Sequence, residues 1–297
     1  MIGPLELTLD HPAAVAALEA VLRGGLDVES CPPRSAVPVP AGELLLMPAA
    51  AGGFAGVKIA GVAPANPTVG LPRITGSYLL LDGPTLQPLA LLDGAALTAL
   101  RTPAVTALAL RALAAPDARH LVVFGAGPQA LGHLAALRAV LPALERATVV
   151  SRRPGPAAAA VAYAAALGLA AEAGGPEAVA GADAVVCCTT ARTPLFDGRL
   201  VPDRAVVAAV GSHEPDAREV DAELVGRADL FVEARAVALR EAGDLLMAGA
   251  PAERLANLSE LVTGAAAVRH DRPRFFKSVG MAWQDLAVAA AQYERQH

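Results

Sequence analysis

From about residue 117 onward the chain alternates short apolar runs with stretches of helical spacing. LVVFGAG is followed by QALGHLAALRAVL, then by ATVVSR, by an alanine-rich helix within Ala157 to Ala171, and by LAAEAG, DAVVCCTT, AVVAAVGS and DLFVEA. The runs are short and apolar at every position, as strands covered by helices on both faces must be. This predicts an α/β domain over 117–272 built on a parallel, doubly wound sheet. Residues 1–116 read differently. They are rich in Pro and Gly, with strand-like pieces ELLLMPA, GVKIAGV and SYLLLDG, a helix around His11 to Arg23 and another from Thr102 to Ala115. An antiparallel or mixed sheet is predicted there. After 272, FFKSVGMAWQDLAVAAAQYERQ begins as a loop and ends as an amphipathic helix that packs back on the first domain. The predicted division is therefore 1–116 plus 273–297 against 117–272.

Composition narrows the functions this architecture could serve. Of 297 residues, 54% are hydrophobic and only 3% aromatic, the net charge is −5, and no Lys/Arg run exists. Nucleic acid is excluded as a partner, because neither a basic stripe nor a stacking surface is available. The Ala157–Ala171 stretch is too short to span a bilayer, so no membrane partner is expected. MIGPLELTLDHP has no basic or apolar leader segment, and a cytoplasmic location is expected. The three cysteines form neither a disulfide framework nor a metal-ligand spacing, and no metal is expected.

The candidate chemistry begins at Gly125-Ala126-Gly127-Pro128-Gln129-Ala130. A GxGxxA pattern alone fits a phosphate-cradling turn or a mere packing corner. Here a strand precedes it, a helix follows, and a second strand arrives about twenty residues later, which favours a dinucleotide site with the pyrophosphate at the helix N-terminus. The second strand ends in Ser151-Arg152-Arg153, where an NAD-selective site places an acid for the ribose 2′-hydroxyl. Two guanidinium groups and a hydroxyl suit a 2′-phosphate instead, so NADPH is the expected cofactor, with NADH as the alternative and two solvated arginines as the plain reading.

Several phrases together resemble the ornithine cyclodeaminase and mu-crystallin family. They are LLMPAAAGGFAGVKIAGVAPANPTVGLP, PLALLDGAALTALRTPAVTALALRAL, FGAGPQALGHL, CCTTARTPLF, AAVGSHEPDAREVD and FKSVGMAWQDLAVA, in the family's order and over nearly the whole chain. The resemblance implies a Rossmann domain inserted in a discontinuous α+β substrate and dimerisation domain, a homodimer, and hydride exchange between a nicotinamide and the α-carbon of a small carboxylate-bearing imino or amino acid. Arg34, Lys58 and Arg101 stand where the family's carboxylate-binding and acid/base cations stand. Read without it, they are a solvated loop residue, an edge-strand charge and a surface Arg beside a helix cap. Thr102 is expected to begin a helix and to offer its hydroxyl and helix-start amides to the pyrophosphate, or to act only as a cap. Thr189 and Thr190 close a strand at the carboxyl edge where ligands bind, and Ser278, Val279 and Gly280 resemble the family's nicotinamide-side loop. Cys187 and Cys188 are expected to be inert.

His213 stands where cyclodeaminases have an Asp. An imidazole cannot serve an ammonium as an anionic partner does, although its pKa suits proton transfer near neutrality; it could equally be a hydrogen-bonded strand-end residue. The expectation is an NAD(P)H-dependent reductase of a cyclic ketimine carboxylate, such as pyrroline- or piperideine-2-carboxylate. The alternatives are an NAD-dependent amino-acid dehydrogenase or ornithine/lysine cyclodeaminase, and a non-catalytic, crystallin-like NADP-dependent ligand-binding protein.

Overall fold

The computed structural model describes residues 3–297 and divides the chain into two units, Met1–Arg101 with Met281–His297, and Thr102–Gly280. The division falls inside a helix and after a strand, and not near 116 and 272 as the sequence pattern predicts.

The first unit begins with α1 (His11–Arg23), capped by Asp10, whose side chain accepts from Ala13 N. A five-stranded antiparallel sheet follows in the order β1 (Ser35–Val39), β2 (Gly42–Ala51), β3 (Phe54–Val62), β4 (Ile74–Asp82) and β5 (Pro88–Asp93). Alternation sends Leu45, Met47, Lys58, Ala60, Tyr78, Leu80, Ala90 and Leu92 to one buried face. On that face Lys58 lies opposite Met47 on β2 and Tyr78 on β4. The C-terminal helix, Ala282–Gln296, covers β2, β3 and β4 and packs on α1. Gln292 near its end accepts hydrogen bonds from Thr8 N and Leu9 N and so ties the N-terminal segment to the helix. On the opposite sheet face Val37, Leu44, Ile59 and Leu91 are exposed, with no cover among the described residues. α2 (Gly94–Leu113) starts where Asp93 accepts from Ala95 N and Ala96 N, eight residues before the predicted start at Thr102, and carries the chain into the second unit.

In the second unit the predicted βα alternation appears as β6 (His120–Phe124), α3 (Pro128–Val140), β7 (Arg146–Val150), α4 (Pro154–Ala166), β8 (Ala170–Ala173), β9 (Ala184–Cys187) and β10 (Val206–Ala209). Then come α5 (Ala222–Arg227), β11 (Asp229–Val232), α6 (Arg235–Glu241), α7 (Gly243–Leu246), β12 (Leu255–Asn257), α8 (Leu258–Thr263) and β13 (Arg274–Lys277). The eight strands are all parallel, in the order β12-β11-β13-β10-β9-β6-β7-β8. From β6 the chain winds to β7 and β8 on one side, then returns to β9 and β10 on the other. That reversal makes the switch point between β6 and β9, where a doubly wound sheet opens a crevice at its carboxyl edge.

β13 corrects the predicted loop at FFK. Its four residues are fully buried between β10 and β11, so 274–277 belong to the parallel sheet. Arg274 at its start is completely buried and donates to the carbonyls of Leu113, Asp203, Arg204 and Arg272, which satisfies a charge that burial would otherwise penalise. Burial lowers its pKa to about 10. The core of this unit is aliphatic, built from Val122, Val185, Val207, Val232 and their neighbours with Phe124 and Phe275.

Candidate functional site

Two groups of polar side chains stand out, one in each unit. In the first unit, Lys58 rises from the middle of a central strand and is 4% exposed, so it is neither an edge residue nor turned to a wet cleft. Its Nζ lies 2.7 Å from Asp285 Oδ2 and 3.2 Å from Thr98 Oγ1. Arg101 on α2 is also buried, its Nη1 donating to Gln284 Oε1 at 2.9 Å and its Nε standing 3.4 Å from Asp285 Oδ1. Asp285 thus bridges the two cations from the first turn of the C-terminal helix, and both Gln284 and Asp285 are fully buried. Half-buried Arg34 adds a third positive charge to the field at Lys58. Burial lowers the Lys58 pKa to about 8, opposed by Asp285 and assisted by Arg101 and Arg34.

Positive charge is therefore in excess around one carboxylate. Arg101 Nε and Asp285 Oδ1 are buried without a hydrogen bond. They face each other as an ion pair at 3.4 Å; it is the excess of positive charge from Lys58, Arg101 and Arg34 over this one carboxylate that suits a small carboxylate-bearing ligand. Asp285, Gln284 and Thr98 are absent from the sequence expectations. In the sequence Asp285 resembles an ordinary acid in a helix's first turn.

In the second unit, the carboxyl ends of β6, β9, β10 and β13 bring together most of the remaining expected residues. Gly125 has φ +110°, and a Cβ there would lie 2.6 Å from Cys188 O, so the turn requires glycine. At Gly127 a Cβ would meet nothing within 4 Å. Gly127 caps α3 without a side-chain hydrogen bond, Pro128 is its first residue, and Gln129 Oε1 is buried without a partner. Ala130 is fully buried against the sheet. Open space over Gly127, uncapped first-turn amides and an orphaned amide oxygen fit a pyrophosphate. Ser151 is half-buried at the end of β7, and Arg152 and Arg153 are exposed beside it.

Thr189 is half-buried and Thr190 exposed after β9, and His213 is exposed in the turn after β10. The donors of the 278–280 segment are already engaged. Buried Glu233 accepts from Ser278 Oγ at 2.8 Å, Val279 N at 2.8 Å and Gly280 N at 2.9 Å. Any contact of this segment with a ligand is left to its acceptors. Thr102 departs from expectation: it lies within α2, where its carbonyl accepts from Thr106 Oγ1, so it supplies no helix-start amide. Cys187 and Cys188 have pKa values raised well above the usual thiol range, chiefly by burial, which fits inert thiols.

A profile of the ornithine cyclodeaminase/mu-crystallin family matches residues 6–297. The chain is 36% identical over 282 residues to Delta(1)-pyrroline-2-carboxylate reductase 2 of Burkholderia ambifaria, covering 94% of this chain and 90% of that one. It is 34% identical over 298 residues to the ketimine reductase mu-crystallin of Mus musculus, covering 99% and 91%. The structure of Thermococcus litoralis Delta(1)-pyrroline-2-carboxylate reductase in complex with NADH and L-proline superposes with a TM-score of 0.91 at 29% identity, covering 99% of this chain and 97% of that one.

Proposed function

The chain belongs to the ornithine cyclodeaminase/mu-crystallin family, and we propose that it is a nicotinamide-dependent reductase of a small cyclic imino acid such as Δ1-pyrroline-2-carboxylate or Δ1-piperideine-2-carboxylate. The observation that carries this reading is the buried Lys58–Asp285–Arg101 cluster, in which two cations share one carboxylate. A cyclic ketimine carboxylate presents an anion for the arginines and an imine nitrogen for the ammonium. Arg101 and Arg34 orient the carboxylate, Arg101 through its planar fork. Lys58 hydrogen-bonds the ring nitrogen and supplies the proton that makes it an iminium. Asp285 positions that ammonium and holds it charged against its desolvation. When bound, the nicotinamide supplies hydride to C2 of the substrate. The amine product needs one proton on nitrogen and one hydride on carbon, and this assignment provides both.

Gly125, Gly127, Pro128, Gln129 and Ala130 hold the pyrophosphate, with Thr189, Thr190 and the 278–280 segment contributing around the rest of the dinucleotide. Ser151, Arg152 and Arg153 favour NADPH over NADH, because a 2′-phosphate gains charge-assisted hydrogen bonds there. His213 in place of an acid leaves no anionic partner for a second, side-chain ammonium, which supports reduction over ring-closing deamination. The protein acts as a homodimer through the apolar outer face of its antiparallel sheet, where Val37, Leu44, Ile59 and Leu91 are exposed.

The test is a screen for NADPH and NADH oxidation against cyclic imino acids and against 2-keto acids with and without amines. Oxidation with the five- or six-membered cyclic imino acid is the expected result. Turnover confined to oxidative deamination of ornithine or lysine would reject the reading, and tight binding of these ligands without turnover would favour a ligand-binding protein.

A further inference from the structure

Glu219 is completely buried, belongs to none of the residues assigned above, and accepts three hydrogen bonds from two different strand ends. Its Oε1 receives Thr189 N at 2.8 Å and Thr189 Oγ1 at 2.7 Å, while Oε2 receives Gly211 N at 2.7 Å. The close approach leaves no room for a side chain at 211, since a Cβ there would lie 1.9 Å from Thr189 O and 2.6 Å from Glu219 Oε1. Glu219 is itself held from behind. Asp244 Oδ1 accepts from Glu219 N at 2.7 Å and Val220 N at 2.9 Å, and Asp244 Oδ2 pairs with Lys277 Nζ at 2.8 Å. Lys277 Nζ donates to Ser212 O at 2.7 Å, next to His213. The loops after β9 and β10 and the end of β13 are thus joined through one buried circuit.

We infer that Glu219 is a positioning residue: as a carboxylate it locks Thr189 and the Gly211–His213 turn together at the carboxyl edge of the parallel sheet, and so pre-forms the dinucleotide crevice. All three of its partners donate, and only an ionised carboxylate is acceptor-only at both oxygens. Protonation turns one oxygen into a donor: on Oε2 it opposes Gly211 N, which cannot accept, and that bond yields, whereas on Oε1 the Thr189 hydroxyl can turn to accept it. The groups facing it are Lys277 from β13, Asp244 from α7, Thr189, Cys187 and Cys188 from β9 and its continuation, and Gly211 from the turn after β10. Lys277 and the hydrogen bonds favour the anion; burial outweighs them and raises the pKa to about 7. The crevice is therefore held above neutrality and loosens as the pH falls through about 7.

The link to dinucleotide binding rests on the function proposed above; the lock itself does not. Two readouts keep them apart. The first is amide hydrogen exchange at Thr189 and Gly211 in the ligand-free protein at pH 6 to 8, corrected for intrinsic rates, for the parent and Glu219→Gln. Losing one buried bond should lower the parent's protection about tenfold on acidification. Glu219→Gln should show the low protection throughout. The second is the Kd of NADH, which lacks a titrating 2′-phosphate, over the same range. It should weaken on acidification in the parent and be flat in the variant. Flat protection in the parent overturns the inference whether or not the variant folds, and so does a variant that keeps the parent's protection and pH response. pH-dependent protection without NADH or NADPH binding upholds the lock and strikes at the dinucleotide reading.

Discussion

Lys58 sits between opposed influences, burial lowering its pKa to about 8 and Asp285 resisting that fall. The ammonium is thus populated below about pH 8 and lost above it, and if it protonates the ring nitrogen, kcat should fall as pH rises through that value. Lys58→Met should lower kcat and remove that limb, measured by steady-state rates between pH 6 and 10. It should also cost about 1–3 kcal/mol in a denaturant melt, because Asp285 loses its partner at 2.7 Å and keeps only Arg101 at 3.4 Å. Arg101→Lys keeps the charge but loses the Nη1 bond to Gln284 and the fork offered to the substrate carboxylate, and should lower kcat/KM by about two to three powers of ten. At the exposed Arg152, Arg152→Glu should weaken NADPH about tenfold relative to NADH in paired titrations. Arg101 and Lys58 were legible in the sequence only through the motifs around them. Asp285 was not, since its partner Lys58 lies 227 positions away and only the folded contact gives an ordinary first-turn acid its meaning. Glu219 and Glu233 were hidden for the same reason.

At the scale of elements, local pattern and tertiary context contribute differently. α1 and the β6–α3–β7 unit follow from periodicity, capping and the glycine turn, all of them short-range signals. β13 does not, because four residues after a Pro- and Arg-rich segment carry no periodicity; its place is set by hydrogen bonds to β10 and β11. Thr102 is not the helix start, because Asp93 caps α2 earlier and Pro103 is accommodated inside the helix. The two turn glycines separate folding from binding. Gly125→Ala drives a Cβ into Cys188 O at a positive φ and should lower the melting temperature by several degrees, equivalent to about 1–3 kcal/mol. Gly127→Ala meets open space and should melt like the parent while weakening dinucleotide binding. Differential scanning calorimetry beside a fluorescence titration separates the two effects.

For the whole molecule, the proposed homodimer rests on the apolar sheet face that carries Val37, Leu44, Ile59 and Leu91. The proposal predicts that the parent sediments as a dimer and Ile59→Asp as a monomer in sedimentation velocity; a parent that sediments as a monomer would remove the assignment. The resemblance indicated the chemistry but could not show that Lys58 and Arg101 converge on one buried carboxylate. The central claim is that hydride reaches C2 of a cyclic imino acid held by that cluster. It is tested most directly by incubating the enzyme with Δ1-pyrroline-2-carboxylate and NADPH carrying deuterium at the transferable C4 position, and reading the product by mass spectrometry and NMR. Proline with deuterium at C2 is the predicted result. Absence of labelled proline, together with proline and ammonia formed from ornithine and NAD, would contradict it.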